Sequence, residues 1–125
     1  MTNTNYKTIA SKIKFEGRAF INGKYVDAID GAKFETINPA TGETLCSVAK
    51  CNSKDVDLAV KVSRKAFNSG VWSRTSPEFR KDVLLKFAEL LRTHGVENSV
   101  LECIDTGKLI GDCINEVAND APMHF

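Results

Sequence analysis

The feature that most constrains this chain is a change of apolar period near residue 50. Before it, apolar residues come in short runs separated by turn-forming pairs; after it, they recur every three or four positions. Phe20 to Val26 hold Asn22-Gly23 between two short runs, and Asn-Gly readily takes the two positive φ values of a type I′ hairpin turn. A second turn at Asp30-Gly31 leads into Phe34 to Ile37. Asn38-Pro39 and Thr41-Gly42 then break the chain before Leu45 to Ala49. Four short strands fit this part, and helices follow, so the pattern is that of an α+β segment.

The first helix is expected over Asn52 to Asn68. Val56, Ala59, Val60, Ser63, Ala66 and Phe67 share one face behind the capping candidates Asn52 and Ser53, and Gly70 ends the run. Ser76-Pro77 opens a second helix extending to His94, because Ser caps orphan amides and Pro is preorganised for the first turn. The two helices are expected to be packed through Val60, Phe67, Leu84, Phe87 and Leu91. Gly95 interrupts the second, a third run through Val96, Val100, Leu101 and Ile104 stops at Gly107, and a last one covers Ile110 to Asn119 before Asp120-Ala121-Pro122.

A chain of 125 residues is the size of one domain, and 42% apolar with 26% charged residues is a globular balance. Seventeen basic against 16 acidic side chains leave a net charge of +1, which offers no field to draw nucleic acid. Lys7, Lys12, Lys14 and Arg18 read as a solvated arm over residues 1–19, ahead of a folded part at 20–125. No apolar h-region opens the chain, and no stretch approaches the roughly 18 apolar residues of a membrane span. A cytoplasmic, unanchored protein is expected. In that reducing compartment Cys46, Cys51, Cys103 and Cys113 should be free and mostly buried.

Chemistry is hard to find. His94 and His124 have no carboxylate or cysteine spaced to build a triad, and the cysteines lack the C-x-x-C spacing of a zinc site. Packing explains each cysteine better than reactivity. Thr106-Gly107-Lys108 fails as a phosphate loop because Glu102 and Leu109 stand where that motif needs Gly and Ser or Thr, and no G-x-G-x-x-G is present.

Taken in order, FINGKYVDA, FETINPATGETL, DVDLAVKVSRKAF, VWSRTSPEFRKDVLLKFAELL and LECIDTGK resemble the amino-terminal region of the aldehyde dehydrogenase superfamily, from about Arg18 to Pro122. The DTGK and Trp72 segments are similar to those of bacterial enzymes that oxidise γ-glutamyl-γ-aminobutyraldehyde. The resemblance implies an α/β fold of which this chain holds only the amino-terminal strands and helices, part of the cofactor-binding and oligomerisation region. It implies NAD or NADP as cofactor, an aldehyde as substrate and a homo-oligomer for the full-length enzyme. The family's catalytic cysteine, glutamate, asparagine and cofactor glycines lie downstream, so no catalytic or cofactor role passes to any residue here.

One feature does transfer by resemblance. Several family members hold a sodium or potassium ion with backbone oxygens at the positions of Thr36 and Ile37 and with the aspartate of DTGK, here Asp105; the alternative is that Asp105 only ends a helix. The chain departs from the family at Leu109, where Pro is usual. Its end within a helix-forming region reads as an early stop, a frameshift or a fragment boundary. Besides an enzyme fragment, two other readings stand: a non-catalytic interaction module or pseudogene remnant that associates with full-length subunits, and a free-standing α+β binding domain.

Overall fold

The computed structural model describes residues 5–125. Its elements are α1 (Tyr6–Ala10), β1 (Ala19–Ile21), β2 (Lys24–Val26), β3 (Lys33–Ile37), β4 (Thr44–Ala49), α2 (Ser53–Ser69), α3 (Pro77–Thr93), α4 (Gly95–Thr106) and α5 (Ile110–Cys113). A π-helix over Ile114–Asp120 and a 3-10 turn over Ala121–His124 follow. The residues form two compact units. One comprises Phe15–Thr36 with Thr44–Arg80; the other comprises the residues up to Lys14, Ile37–Glu43 and Lys81–Phe125.

In the first unit, β1 and β2 pair antiparallel with Ile21 opposite Lys24. Asn22 (φ 55°) and Gly23 (φ 74°) take the two left-handed positions that a type I′ turn requires. Across the pair Phe20 and Tyr25 meet edge to face, ring centroids 5.1 Å apart. Strands β3 and β4 form a second two-stranded sheet. Alongside β4, Gly17 O accepts from Ala49 N at 2.7 Å, and the approach is so close that a Cβ on Gly17 would lie 2.1 Å from Ser47 O.

Helix α2 begins with a reciprocal cap. The Asn52 side chain accepts from Lys54 N, while Asp55 reaches back to accept from Asn52 N, each at 2.8 Å. The other Asp55 oxygen accepts from Ile29 N at 2.8 Å, so a carboxylate only 2% exposed has hydrogen-bond donors on both oxygens. The same residue therefore starts a helix and ties it to the loop after the hairpin.

In the second unit α4 is the centre, with α1, α5 and the π-helix packed on it. Val100, Ser99 and Cys113 are buried here. Ser99 Oγ donates within reach of two carbonyls, Gly95 O at 2.7 Å and Cys113 O at 3.1 Å. Helix α3 receives the end of the chain: Phe87 meets Phe125 edge to face at 4.9 Å, and Arg92 Nη2 donates to Pro122 O at 3.4 Å.

Several expectations need correction. Residues 1–4 of the stretch read as an arm lie outside the described residues, but Tyr6–Ala10 forms α1, capped by the Asn5 side chain accepting from Thr8 N. The helix expected over Ile110 to Asn119 is α-helical only to Cys113 and then widens. Pro122, just beyond the wide segment, has no N–H to donate, so an α-helical ladder cannot run on through it. Gly95 does more than interrupt α3, for it opens α4 against Ala118, where a Cβ would come within 2.7 Å of the Ala118 methyl. Val60 and Phe67 are each 59% exposed, Leu84 and Phe87 are also exposed, and Leu91 is half-buried, so these side chains do not form the expected core.

Candidate functional site

The residues implicated by resemblance sit at element ends. Thr36 and Ile37 are the last two residues of β3, half-buried and exposed respectively, and Asp105 lies exposed in the final turn of α4. Thr36 belongs to the first unit, Ile37 and Asp105 to the second. Thr36 and Asp105 each already take part in an interaction.

The remaining titratable groups make a structural network. Lys108, just past α4, donates from Nζ to Glu116 at 2.6 Å and to Glu102 at 2.9 Å. The hydrogen bonds to Glu116 and then Glu102 raise its pKa above the ordinary lysine value. Burial pushes the Cys113 thiol up, which keeps it neutral and a poor nucleophile. Cys46 and Cys103 are half-buried, and Cys103 Sγ donates to Lys108 O at 3.1 Å. Cys51 is exposed, against the expectation of burial, because it precedes the α2 cap in a loop. His94 stands at the N-cap position of α4 without a side-chain capping bond, its side chain 57% exposed and 3.8 Å from Glu97. Glu16 is held at a pKa of about 2 by hydrogen bonds from the Arg18 guanidinium and then from its backbone N–H.

Among the described residues no group of three or more His, Cys, Asp or Glu side chains could hold a metal ion, and no helix is long and apolar enough to cross a membrane. The Thr36, Ile37 and Asp105 positions were legible only through the resemblance. The Lys108 bridge and the double role of Asp55 were not seen in the sequence. Asn-x-x-Asp ahead of an apolar run is the capping-box spacing with Asp in place of Glu, a signal that could have exposed the second of these.

This arrangement of two hairpins and a capped helix followed by an α3–α4 pair is the amino-terminal piece of a known fold, and the chain belongs to the aldehyde dehydrogenase family, whose model matches residues 25–123. It is 53% identical over 85% of its length to aldehyde dehydrogenase 1 of Tanacetum cinerariifolium, of which it spans 21%. Among solved structures it is similar to γ-glutamyl-γ-aminobutyraldehyde dehydrogenase from Burkholderia cenocepacia, with TM-score 0.91 and 42% identity, covering 94% of this chain and 24% of that one. It is also similar to the indole-3-acetaldehyde dehydrogenase AldA of P. syringae in complex with NAD+ and IAA, with TM-score 0.85 and 42% identity, covering 87% of this chain and 22% of that one. The chain thus spans about a fifth to a quarter of the proteins it resembles.

Proposed function

We propose that this chain is the amino-terminal part of an NAD(P)-dependent aldehyde dehydrogenase that oxidises an aldehyde to a carboxylic acid, and that its own residues supply scaffold and packing surface but no catalytic group. The observation that carries this reading is the family match across residues 25–123 together with a backbone that follows a related dehydrogenase at TM-score 0.91. In the longer protein, residues 20–125 would open the cofactor-binding and oligomerisation region. Thr36, Ile37 and Asp105 would contribute oxygens to a sodium or potassium ion, completed by a carbonyl beyond this chain. A cytoplasmic homo-oligomer that binds neither membrane nor nucleic acid completes the proposal. The cofactor and the aldehyde would be bound by the later part, and γ-glutamyl-γ-aminobutyraldehyde and related amino aldehydes are the substrates the resemblance favours.

The isolated 125-residue chain is expected to produce no aldehyde-dependent rise in reduced nicotinamide absorbance with either NAD or NADP. A turnover that persists through purification and is lost on replacing one of Cys46, Cys51, Cys103 or Cys113 would overturn the reading.

A second reading, an interaction module that associates with longer subunits, is favoured by one observation: Val56, Val60 and Phe67 lie exposed on one side of α2. Apolar surface of that kind drives association. Sedimentation of the isolated chain is expected to give a mass that rises with concentration, and a strictly monomeric species over the whole range would reject it.

A further inference from the structure

The widened helix is held by contacts that all specify the same residue register. Its defining bond runs from Ala121 N–H to Glu116 O, five residues back, where an α-helix would use Val117 O. Gly95 leaves room at 118 for a single methyl: a Cβ on Gly95 would already lie 2.7 Å from Ala118 Cβ and 3.0 Å from its Cα. Val117 or Asn119, the residues that a slip of one position would bring there, are larger. Ser99 Oγ lies within hydrogen-bond reach of the Cys113 carbonyl at the junction between α5 and the π-helix. Lys108 binds Glu116, and a slip of one position would offer it Asn115 or Val117, neither of them charged.

These contacts differ in kind. The Gly95–Ala118 approach is steric and the Ser99 bond is between neutral groups, so neither responds to ionic conditions. The bridge from Lys108 to Glu102 and Glu116 depends on charge, and its members are 30–53% exposed, open to ions in solution. We propose that Lys108 is a positioning residue whose bridge acts as a charge-operated latch, keeping Ile114–Asp120 in the π register and loosening it toward an α register when the charge is removed or screened.

The register matters beyond the segment itself. Taking one residue out of the wide turn rotates all that follows by about 100°. That would lift the Pro122 carbonyl from Arg92 and the Phe125 ring from Phe87, so a change at Lys108 is read out where the chain end docks on α3.

The test is NMR on the full 125-residue chain, using through-hydrogen-bond couplings to identify the acceptor of the Ala121 N–H, with native-state exchange of the same amide. Lys108→Met removes the charge, and Lys108→Arg keeps it. In Lys108→Met a population with Val117 O as acceptor is expected, with exchange at Ala121 faster by about five-fold, while α2 amides stay unchanged and Lys108→Arg retains the Glu116 acceptor. A Lys108→Met chain that keeps Glu116 O as acceptor with unchanged Ala121 exchange overturns the proposal. If that variant loses its native spectrum, the unmodified chain in a salt series decides. Loss of the Glu116 acceptor as screening tightens to about 3 Å near 1 M salt supports the latch, and an unchanged coupling overturns it.

Discussion

Replacing Asp55 with alanine is expected to lower the thermal midpoint by on the order of 15 °C, the equivalent of about 3 kcal/mol in a chain of this size. One carboxylate accepts from Ile29 N and Asn52 N at 2.8 Å each, and at 2% exposure there is little room for water to replace it. The substitution removes the reciprocal cap of α2 and strands two backbone donors, one of them 26 residues away in sequence. Asp55→Asn keeps one acceptor but sets an NH2 against the other donor, so an intermediate loss is expected. Asp57→Ala, one turn-step away and exposed, should change stability by no more than about 0.5 kcal/mol. Circular dichroism melts of the three variants check the ranking, and an Asp55→Ala midpoint within a few degrees of the unmodified chain would refute the role given to this carboxylate.

The second large effect is expected at Gly17. An added methyl would sit 2.1 Å from Ser47 O, 3.0 Å from Ser47 C and 3.2 Å from Val48 Cα, all backbone atoms that no side-chain rotation clears. The strand-like segment must move off β4, and the 2.7 Å bond from Ala49 N to Gly17 O goes with it. Overpacking and the lost bond together should cost about 3 kcal/mol in Gly17→Ala. Gly111→Ala is the contrast, because nothing lies within 4 Å of its Cβ position and the residue is in a helix, where alanine is favoured by up to about 1 kcal/mol. Urea unfolding should therefore move in opposite directions for these two glycines, and equal midpoints would show that the Gly17 contact relaxes without cost.

What could be read from the sequence was whatever depends on neighbours along the chain. Asn22-Gly23 specifies its turn because the two φ values are a property of those residues, and Asn52, Gly70, Ser76 and Gly107 mark helix limits by the same local logic. Position in space was not legible. An apolar stripe such as Val56, Val60 and Phe67 states that a helix has a face to cover, but not that the covering surface lies within these residues. The π-helix escaped because Ile114 to Asn119 has an ordinary helical period, while contacts made by the wide segment reach far along the chain, that of Gly95 with Ala118 spanning 23 positions. For the cation ligands proposed by resemblance, composition and spacing gave no lead at all, since two of the three named positions would act through backbone carbonyls that any residue supplies.

The two units differ in how their sequence is laid out, and this has a consequence for the order in which they are made. On a ribosome that releases the amino end first, every partner of the unit built from Phe15–Thr36 and Thr44–Arg80 has been synthesised once Arg80 is joined, so Asp55 finds Ile29 already waiting. The other unit draws on residues up to Lys14, on Ile37–Glu43 and on everything from Lys81 to Phe125. Helix α1 must therefore remain without its partner α4 while the intervening eighty or so residues emerge. A five-residue helix capped by Asn5 is suited to that delay, because Tyr6, Ile9 and Ala10 are all the apolar side chains it holds out for a growing chain or a passing neighbour to capture before α4 arrives.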